Sequence, residues 1–262
     1  MLGIEIGLLQ TSRDLNNMIK GKTIEIDTSK WERSANRFVG FIDIMGFKDM
    51  VLRNNEEVLY IIMRRIRESI FQNVLIHGTG DPEETKYESS IEIIMFSDCI
   101  VTFSKDQSAE TLESFINAMS GLTNDLIRNH IPFKGVVAAG FMTLDFKNSI
   151  FFGQPLNDAY SLHDELGFYG VVVHGTADNF FRKSNNSHIF EYNCPFKNGT
   201  SKHLTVLPEF LETDLISNHS YVQYYNAIEN LRANTSGYLR MYIDKTLLYY
   251  ENFKSTCKKI VE

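Results

Sequence analysis

Apolar and polar residues recur along this chain with two periods, one typical of strands and one typical of helices. Short apolar runs bounded by turn residues predict buried strands at 37–43, 91–96, 99–103, 134–144, 149–152, 171–174 and 204–207. Apolar residues at helical spacing predict helices at 54–76, 106–129 and 153–167. Because only Ser97-Asp98 separates two of the strands, that pair is expected to form a hairpin. Helices that alternate with a largely antiparallel sheet indicate an α+β fold.

The same pattern divides the chain into three segments. Residues 1–30 hold a short apolar start and a polar stretch, which predicts an N-terminal arm with up to one strand. Residues 31–207 contain the alternating elements and are expected to form the main domain. Residues 208–262 are helical by pattern with an apolar face, so they are predicted to form a C-terminal extension that packs on the core or on a partner.

Composition and charge narrow the classes of function. The 262 residues are 43% hydrophobic and 23% charged, as in ordinary globular proteins, and the formal net charge is −7. This acidic balance argues against a nucleic-acid surface, but it is compatible with an anionic small molecule that binds together with divalent metal. No stretch has the pattern of a signal peptide or a membrane span, and the three cysteines show no regular spacing. These features predict a reduced, cytoplasmic protein without direct membrane contact.

Two aspartates lie where buried strands end. Asp43 ends an apolar strand just before a glycine turn, and Asp98 lies at the tip of the apolar hairpin. Each could simply cap a turn, as aspartate often does. Carboxylates at the ends of neighbouring central strands, however, are well suited to hold one or two divalent ions, which can bind the oxygens of a transferring phosphoryl group.

Glycines at two strand ends add to this hypothesis. After Asp43, the turn that contains Gly46 can direct backbone N–H groups at a helix start outward, where they attract phosphate. Gly153 ends a strand, and the polar Asn157 follows it by about one helical turn. No Walker P-loop pattern occurs in the chain, so a P-loop nucleotide site is excluded.

Four stretches, taken in order, resemble the motifs of class III nucleotidyl cyclases, whose catalytic domain has a βααββαβ core. The stretch at 41–47, FIDIMGF, resembles the first-metal strand and phosphate turn, and 96–103, FSDCIVTF, resembles the second-metal hairpin. The stretches at 134–145, KGVVAAGFMTLD, and 150–162, IFFGQPLNDAYSL, resemble a later strand and a helix opening of the same family. The resemblance spans about 37–207 and implies the cyclase fold.

The resemblance also implies a site and a reaction. Two divalent ions, Mg²⁺ or Mn²⁺, would be held by Asp43, Asp98 and the carbonyl of Ile44. The backbone N–H groups of Gly46 and Phe47 would bind the triphosphate. Asn157 would orient the ribose of a nucleotide held by the partner in a homodimer, so the expected catalytic residues are Asp43, Asp98 and Asn157. The implied reaction is attack of the ribose 3′-hydroxyl on the α-phosphorus, with pyrophosphate leaving.

Three positions depart from the purine cyclase pattern. Ile94 and Ile150 stand where that pattern has polar residues that read the purine base, which implies a changed base or no base. Ser161 stands where the family has an arginine that stabilises the transition state. Lys48 and Lys197 are candidates to replace that arginine, although each is also a plausible surface lysine.

The retained metal aspartates and the non-purine base positions are most similar to the pyrimidine cyclases of Pycsar antiphage systems. Those enzymes make cyclic UMP or cyclic CMP as a messenger for a separate effector, and this activity from UTP or CTP is the expectation here. Two alternatives stay open: a purine cyclase with an atypical base pocket, and a non-catalytic cyclase-like module that binds nucleotide and signals by dimerisation. Ser161 favours the second alternative, whereas the retention of both aspartates argues against it. No single residue distinguishes uracil from cytosine.

Overall fold

The computed structural model describes residues 25–76, 78–79, 86–208, 219–233 and 235–261. The strands are β1 (Glu25–Ile26), β2 (Ser34–Ile44), β3 (Gly78–Thr79), β4 (Lys86–Ser89), β5 (Ile91–Phe96), β6 (Cys99–Ser104), β7 (Phe133–Asp145), β8 (Ile150–Gly153), β9 (Val171–Val173), β10 (Ile189–Phe196) and β11 (Gly199–Val206). The helices are α1 (Phe47–Arg53), α2 (Glu56–Ile76), α3 (Ala109–Arg128), α4 (Gln154–Glu165), α5 (Gly175–Lys183), α6 (His219–Ala233) and α7 (Tyr238–Val261). Most of the predicted N-terminal arm, residues 1–24, lies outside the described residues.

The main sheet has the strand order β10-β11-β9-β7-β2-β6-β5, with β8 paired to β7. Its neighbours are antiparallel except β7 and β9, which run parallel. From β2 to β7 the main elements follow the order strand, two helices, hairpin, helix, strand that the motifs imply. The predicted α+β fold with a βααββαβ core is therefore confirmed by the chain's own topology.

One face of the sheet is covered by α3. Ser108 caps this helix, since its hydroxyl accepts a hydrogen bond from the Thr111 N–H at 3.2 Å. The Phe115 ring packs at 5.8 Å from the Phe38 ring of β2. A Cβ at Gly40 would lie 2.7 Å from the Met119 sulfur, so the absence of a side chain there allows helix and sheet to approach closely. This face forms the main hydrophobic core.

The opposite face is only partly covered, by α4. This helix packs across β2 and β7, and it starts with Pro155 in its first turn, where the missing N–H costs no hydrogen bond. Next to it, a separate buried cluster on the same sheet contains Val39, Phe103, Met142 and Leu144. Because β2 alternates its side chains, Asp43 points to the same face as Val39 and lies beside α4. The functional groups described below lie on this second face.

The C-terminal helices belong to the same hydrophobic core. Buried side chains of α7 join it, and the Tyr249 hydroxyl donates a hydrogen bond to the Thr205 hydroxyl of β11 at 2.7 Å. The Tyr169 N–H donates to the Thr246 hydroxyl at 2.8 Å. The prediction of a helical C-terminal segment is confirmed, and in this molecule it packs on the core. The domain boundary at residue 207 stays a prediction.

Several elements were absent from the sequence-based prediction, including α1, the short strands β3 and β4, and the edge strand β10. The strand β10 pairs in full antiparallel register with β11, which begins at Gly199 and is longer than the predicted 204–207. The stretch IFEYNCPF did not suggest a strand because it contains Asn193 and Pro195, which are tolerated because β10 ends the sheet. The short helix α5 was also missed. None of the helices within the described ranges has the length and hydrophobicity needed to cross a membrane.

Candidate active site

The register of three central strands places Asp43 in the middle of a row of polar groups. Asp43 of β2 pairs with Cys99 of β6 on one side and with Lys134 of β7 on the other. Asp98 immediately precedes β6, in a tight turn where Ser97 has a left-handed φ of 56°. The Ile44 N–H donates a hydrogen bond to the Asp98 carbonyl at 2.9 Å, which fixes this turn against the end of β2. The structure therefore brings Asp43 and Asp98 together, as the sequence predicts.

These two carboxylates and a thiol form one cluster. Ligand atoms of Asp43, Asp98 and Cys99 all lie within 4.8 Å of one another. The Asp43 side chain is 24% exposed, and burial, followed by the nearby Asp98 charge, raises its pKa to about 6. The Lys134 charge opposes this increase, and Asp164 adds to it. The two carboxylates repel each other when both are ionised, and a bound cation would remove this repulsion.

The donor atoms suit a hard divalent cation. Burial, together with the charges of Asp98 and Asp43, raises the pKa of the Cys99 thiol to about 11. A neutral thiol is a poor ligand, so the carboxylate oxygens are the effective donors, and oxygen ligands favour Mg²⁺ or Mn²⁺. The residues present therefore fit the metals that the motifs imply. The role of the Ile44 carbonyl as a further ligand stays a prediction.

A glycine turn follows β2, at the position where the sequence predicts one. Gly46 adopts the left-handed region with φ 77° and immediately precedes α1. The Met45 N–H donates to the Pro132 carbonyl at 2.8 Å, which anchors the turn to the segment before β7. Space around the Gly46 Cα is open, since an added Cβ would meet no atom within 4 Å. Phosphate binding by the N–H groups of Gly46 and Phe47 stays a prediction, and Lys48 is exposed on α1.

Lys197 lies at the end of α4, in the turn between β10 and β11. Its ammonium pairs with Asp164 at 2.9 Å, and its backbone N–H donates to the Glu165 carbonyl at 2.8 Å. The hydrogen bond that the Lys197 ammonium donates to the Asp164 carboxylate raises the Lys197 pKa. Lys197 and Asp164 also act on the charge of Lys134, which places both of them in the electrostatic environment of the Asp43 row.

Two further residues beside Asp43 were missed by the sequence analysis. His163 of α4 is buried, with Nε2 at 4.0 Å from Asp43 Oδ2 and with Nδ1 in contact with the Tyr160 carbonyl. Burial lowers the His163 pKa. Lys134 is 4% exposed and lies in register with Asp43. The sequence signal for Lys134 was its position at the start of a strand of small residues. Its pairing with Asp43, however, depends on strand register.

Asn157 and Ser161 lie apart from this row. Both are exposed on α4, while Pro155, Ala159 and His163 bury the opposite side of the helix. This arrangement leaves Asn157 free to face a second molecule, as its expected role at a dimer interface requires. That role stays a prediction.

The two isoleucines at the base-reading positions differ in environment. Ile94 is partly buried and packs on the apolar cluster that contains Val39 and Phe103, whereas Ile150 is 46% exposed. Neither side chain can form a hydrogen bond to a base. Glu92, two residues before Ile94 and therefore on the same face of β5, is a partly buried carboxyl whose pKa burial raises to about 7. The sequence analysis did not identify Glu92.

Comparisons with known proteins give structural neighbours that include adenylyl and guanylyl cyclases. The adenylyl cyclase CyaB from P. aeruginosa is 14% identical, with a TM-score of 0.45, and the match covers 67% of this chain and 95% of that one. The monomeric guanylyl cyclase domain of the RhoGC fusion protein from Blastocladiella emersonii is 11% identical, with a TM-score of 0.49, covering 68% and 99%. No family model and no curated protein matches the sequence. Because these similarities are low, the proposals below rest on the chain's own residues.

Proposed function

We propose that this chain is a nucleotidyl cyclase of the class III type that acts on a pyrimidine nucleoside triphosphate. The observation that carries the proposal is the proximity of the Asp43 and Asp98 carboxylates at the ends of adjacent central strands, next to the Gly46 turn. The βααββαβ order around this pair supports it. The products would be the 3′,5′-cyclic nucleotide and pyrophosphate.

The chain's own residues would divide the work at this site. Asp43 and Asp98 would hold two divalent ions, Mg²⁺ or Mn²⁺. Bound ions supply positive charge that lowers the pKa of an attacking hydroxyl and neutralises charge on phosphoryl oxygens. The turn at Gly46 and Phe47 would orient the triphosphate through backbone N–H groups. Lys197 would neutralise phosphate charge after it releases Asp164 and binds the phosphate instead.

The pyrimidine assignment follows from what the base positions lack. Ile94 is packed into an apolar cluster, so this position cannot supply the polar group that selects a purine. Ile150 likewise has no hydrogen-bonding atom in its side chain. The loss of both polar readers favours a changed base, which we propose to be a pyrimidine.

The proposal includes a homodimer whose partner subunit completes each site. Exposed Asn157 on the outer side of α4 supports this arrangement, because it faces away from Asp43 of its own chain. The cyclic nucleotide would then act as a messenger on a separate effector in antiphage defence. That last role is supported only by the resemblance to the Pycsar cyclases.

The test is product identification with each of the four ribonucleoside triphosphates, in Mg²⁺ and in Mn²⁺. We expect cyclic UMP or cyclic CMP together with pyrophosphate. Conversion of ATP or GTP alone would instead support a purine cyclase with an atypical pocket. Nucleotide binding without any turnover would support the non-catalytic module that Ser161 suggests.

A pair of matched variants connects the activity to the proposed site. Asp43→Asn should abolish turnover, since it removes a metal ligand with little change in volume. Asp178→Asn should leave activity unchanged, because Asp178 lies on α5, which packs on the opposite face through Phe180 and Phe38. Equal loss of activity in both variants would contradict the site assignment.

A further inference from the structure

The buried histidine of α4, His163, has two ring nitrogens in different surroundings. The side chain is 7% exposed, and its ring centroid lies 4.8 Å from that of Phe41 and 5.1 Å from that of Tyr160. Its Nδ1 contacts the Tyr160 carbonyl oxygen. Because a carbonyl oxygen can only accept a hydrogen bond, Nδ1 carries the proton, and in the neutral ring Nε2 then presents a lone pair.

The Nε2 atom of His163 faces a carboxylate. It lies 4.0 Å from Asp43 Oδ2, and among the residues that the structure describes none forms a hydrogen bond with it. A hydrogen bond between an imidazolium and a carboxylate would require a separation of about 2.7–2.9 Å, so these two atoms do not share a proton. A lone pair and a carboxylate oxygen that face each other repel, and a cation between them would turn this repulsion into attraction.

This arrangement is typical of histidine metal ligands. Such a histidine donates the N–H of its other nitrogen to a backbone carbonyl or a carboxylate, which fixes the ring and its tautomer. The contact of Nδ1 with the Tyr160 carbonyl has this form. Metal–ligand bonds of about 2.0–2.2 Å also make 4.0 Å a separation that one ion can bridge.

Asp43 lies between this histidine and the rest of the proposed metal site. On the side of β6 its carboxylate is within 4.8 Å of a ligand atom of Asp98, and on the side of α4 it faces His163. The helix therefore adds a nitrogen donor to the oxygen donors of the strand ends. Asn157 is exposed on the other side of the same helix, so it stays available for its expected role toward a partner subunit.

We propose that Nε2 of His163 is a ligand, together with Asp43, of one divalent ion at this site, and that this nitrogen donor gives the site a preference for Mn²⁺ over Mg²⁺. Nitrogen ligands favour transition-metal ions, whereas Mg²⁺ is bound through oxygen. This inference rests on the metal site of the proposed function, but it does not depend on which nucleotide is converted.

The first test measures binding of Mn²⁺ alone and of Mg²⁺ alone to the full chain by calorimetry. His163→Phe keeps the ring that packs on Phe41 and removes both nitrogens. Its Mn²⁺ affinity should fall at least about 10-fold, since even residues that only orient a metal ligand typically contribute about 10- to 100-fold. Its Mg²⁺ affinity should change less, so the preference for Mn²⁺ should be lost.

The control for this test is His130→Asn. His130 is exposed just after α3, which covers the opposite face of the sheet, and its left-handed φ of 58° is tolerated by asparagine. This variant should bind both ions as the parent does.

Pulsed electron paramagnetic resonance of bound Mn²⁺ separates a ligand from a residue with a structural role. The parent and His130→Asn should show the coupling of a directly bound imidazole nitrogen, and His163→Phe should lack it. His163→Gln is the second variant if His163→Phe misfolds, and it should also lack this coupling. A parent spectrum without nitrogen coupling would overturn the inference and would indicate an ion pair between a protonated His163 and Asp43.

Two further outcomes distinguish this inference from the proposed function. If the nitrogen coupling depends on His163 but no nucleoside triphosphate is converted, the inference stands and the cyclase activity fails. If cyclic nucleotide forms while His163→Phe binds Mn²⁺ as tightly as the parent does, the cyclase stands and His163 is not a ligand.

Discussion

Asp43→Asn should stabilise the metal-free protein at pH 8. The pKa of Asp43 is raised from 3.8 to about 6, so its favourable contribution to folding is complete below pH 3.8 and is lost as the pH rises through about 6. At pH 8 the native state must therefore accommodate an ionised carboxylate that faces Asp98 and Asp164, opposed only by Lys134. Asparagine has a similar shape and no charge.

The size of this effect follows from the pKa shift. One pKa unit corresponds to about 1.4 kcal/mol, so the full shift amounts to about 3 kcal/mol. Because the Asp43 side chain is 24% exposed, solvent screening reduces the gain in unfolding free energy to about 1–2 kcal/mol. For a chain of this size, that corresponds to a melting temperature about 2–6 °C higher. The gain should fall to about half near pH 5 and should disappear below about pH 3.8, where the carboxyl is protonated in both the folded and the unfolded state.

Differential scanning fluorimetry at pH 5 and pH 8, with and without Mn²⁺, provides the assay. Mn²⁺ should raise the melting temperature of the parent at pH 8, should do so less at pH 5, and should leave Asp43→Asn unchanged. Asp178→Asn is the control and should respond to Mn²⁺ as the parent does. An Asp43→Asn variant that is no more stable than the parent at pH 8 would refute the electrostatic argument, and an unchanged Mn²⁺ response would refute the metal site.

Three further predictions concern the dimer, the base-side carboxyl and the C-terminal helix. If each site combines Asp43 of one subunit with Asn157 of the other, mixing inactive Asp43→Asn and Asn157→Ala subunits should restore roughly a quarter of the parent activity. Random exchange makes half of the dimers mixed, and each mixed dimer has one intact site out of two. Activity that stays at zero after subunit exchange would contradict a shared site. The pKa of Glu92 is raised from 4.5 to about 7, so its favourable contribution to folding is complete below pH 4.5 and is lost as the pH rises through 7. Urea unfolding of Glu92→Gln should therefore show a gain of about 1–3 kcal/mol at pH 8, a smaller gain at pH 5 and none below about pH 4, with exposed Glu32→Gln as the control. Tyr249→Phe removes the buried hydrogen bond to Thr205 and should lower the unfolding free energy by about 1–2 kcal/mol in urea, whereas no change would indicate that α7 contributes little to the core.

The sequence was sufficient for the parts of the site that depend on local order. Asp98 lies in a hairpin turn and Asp43 directly precedes a glycine turn, so motif spacing alone predicted that both carboxylates lie at strand ends. The periodicities predicted a single helix between the first strand and the hairpin, whereas the βααββαβ order was implied by the resemblance to class III cyclases. Lys197 was also named, although its pairing with Asp164 could not be anticipated because it joins a helix end to a distant turn.

The remaining groups depend on long-range arrangement. Lys134 becomes the neighbour of Asp43 only through the β2–β7 register, which joins residues about 90 positions apart in the chain. His163 reaches Asp43 because α4 lies across the sheet with its 155, 159 and 163 positions inward. Neither relation has a signature within a short window. The same limitation explains β10, whose pairing with β11 overrides an unfavourable composition.

The row of Cys99, Asp43 and Lys134 spans three adjacent strands at a single level of the hydrogen-bond ladder. The spacing of the three Cα atoms is therefore set by the backbone, at about 5 Å per strand, and is independent of which side chains occupy the positions. Substitutions along this row can change the chemistry without moving the framework. A slip of β2 by one residue would have the opposite effect, because it would turn Asp43 into the hydrophobic core under α3. The side chains of Asp43, Cys99 and Lys134 would then no longer lie together.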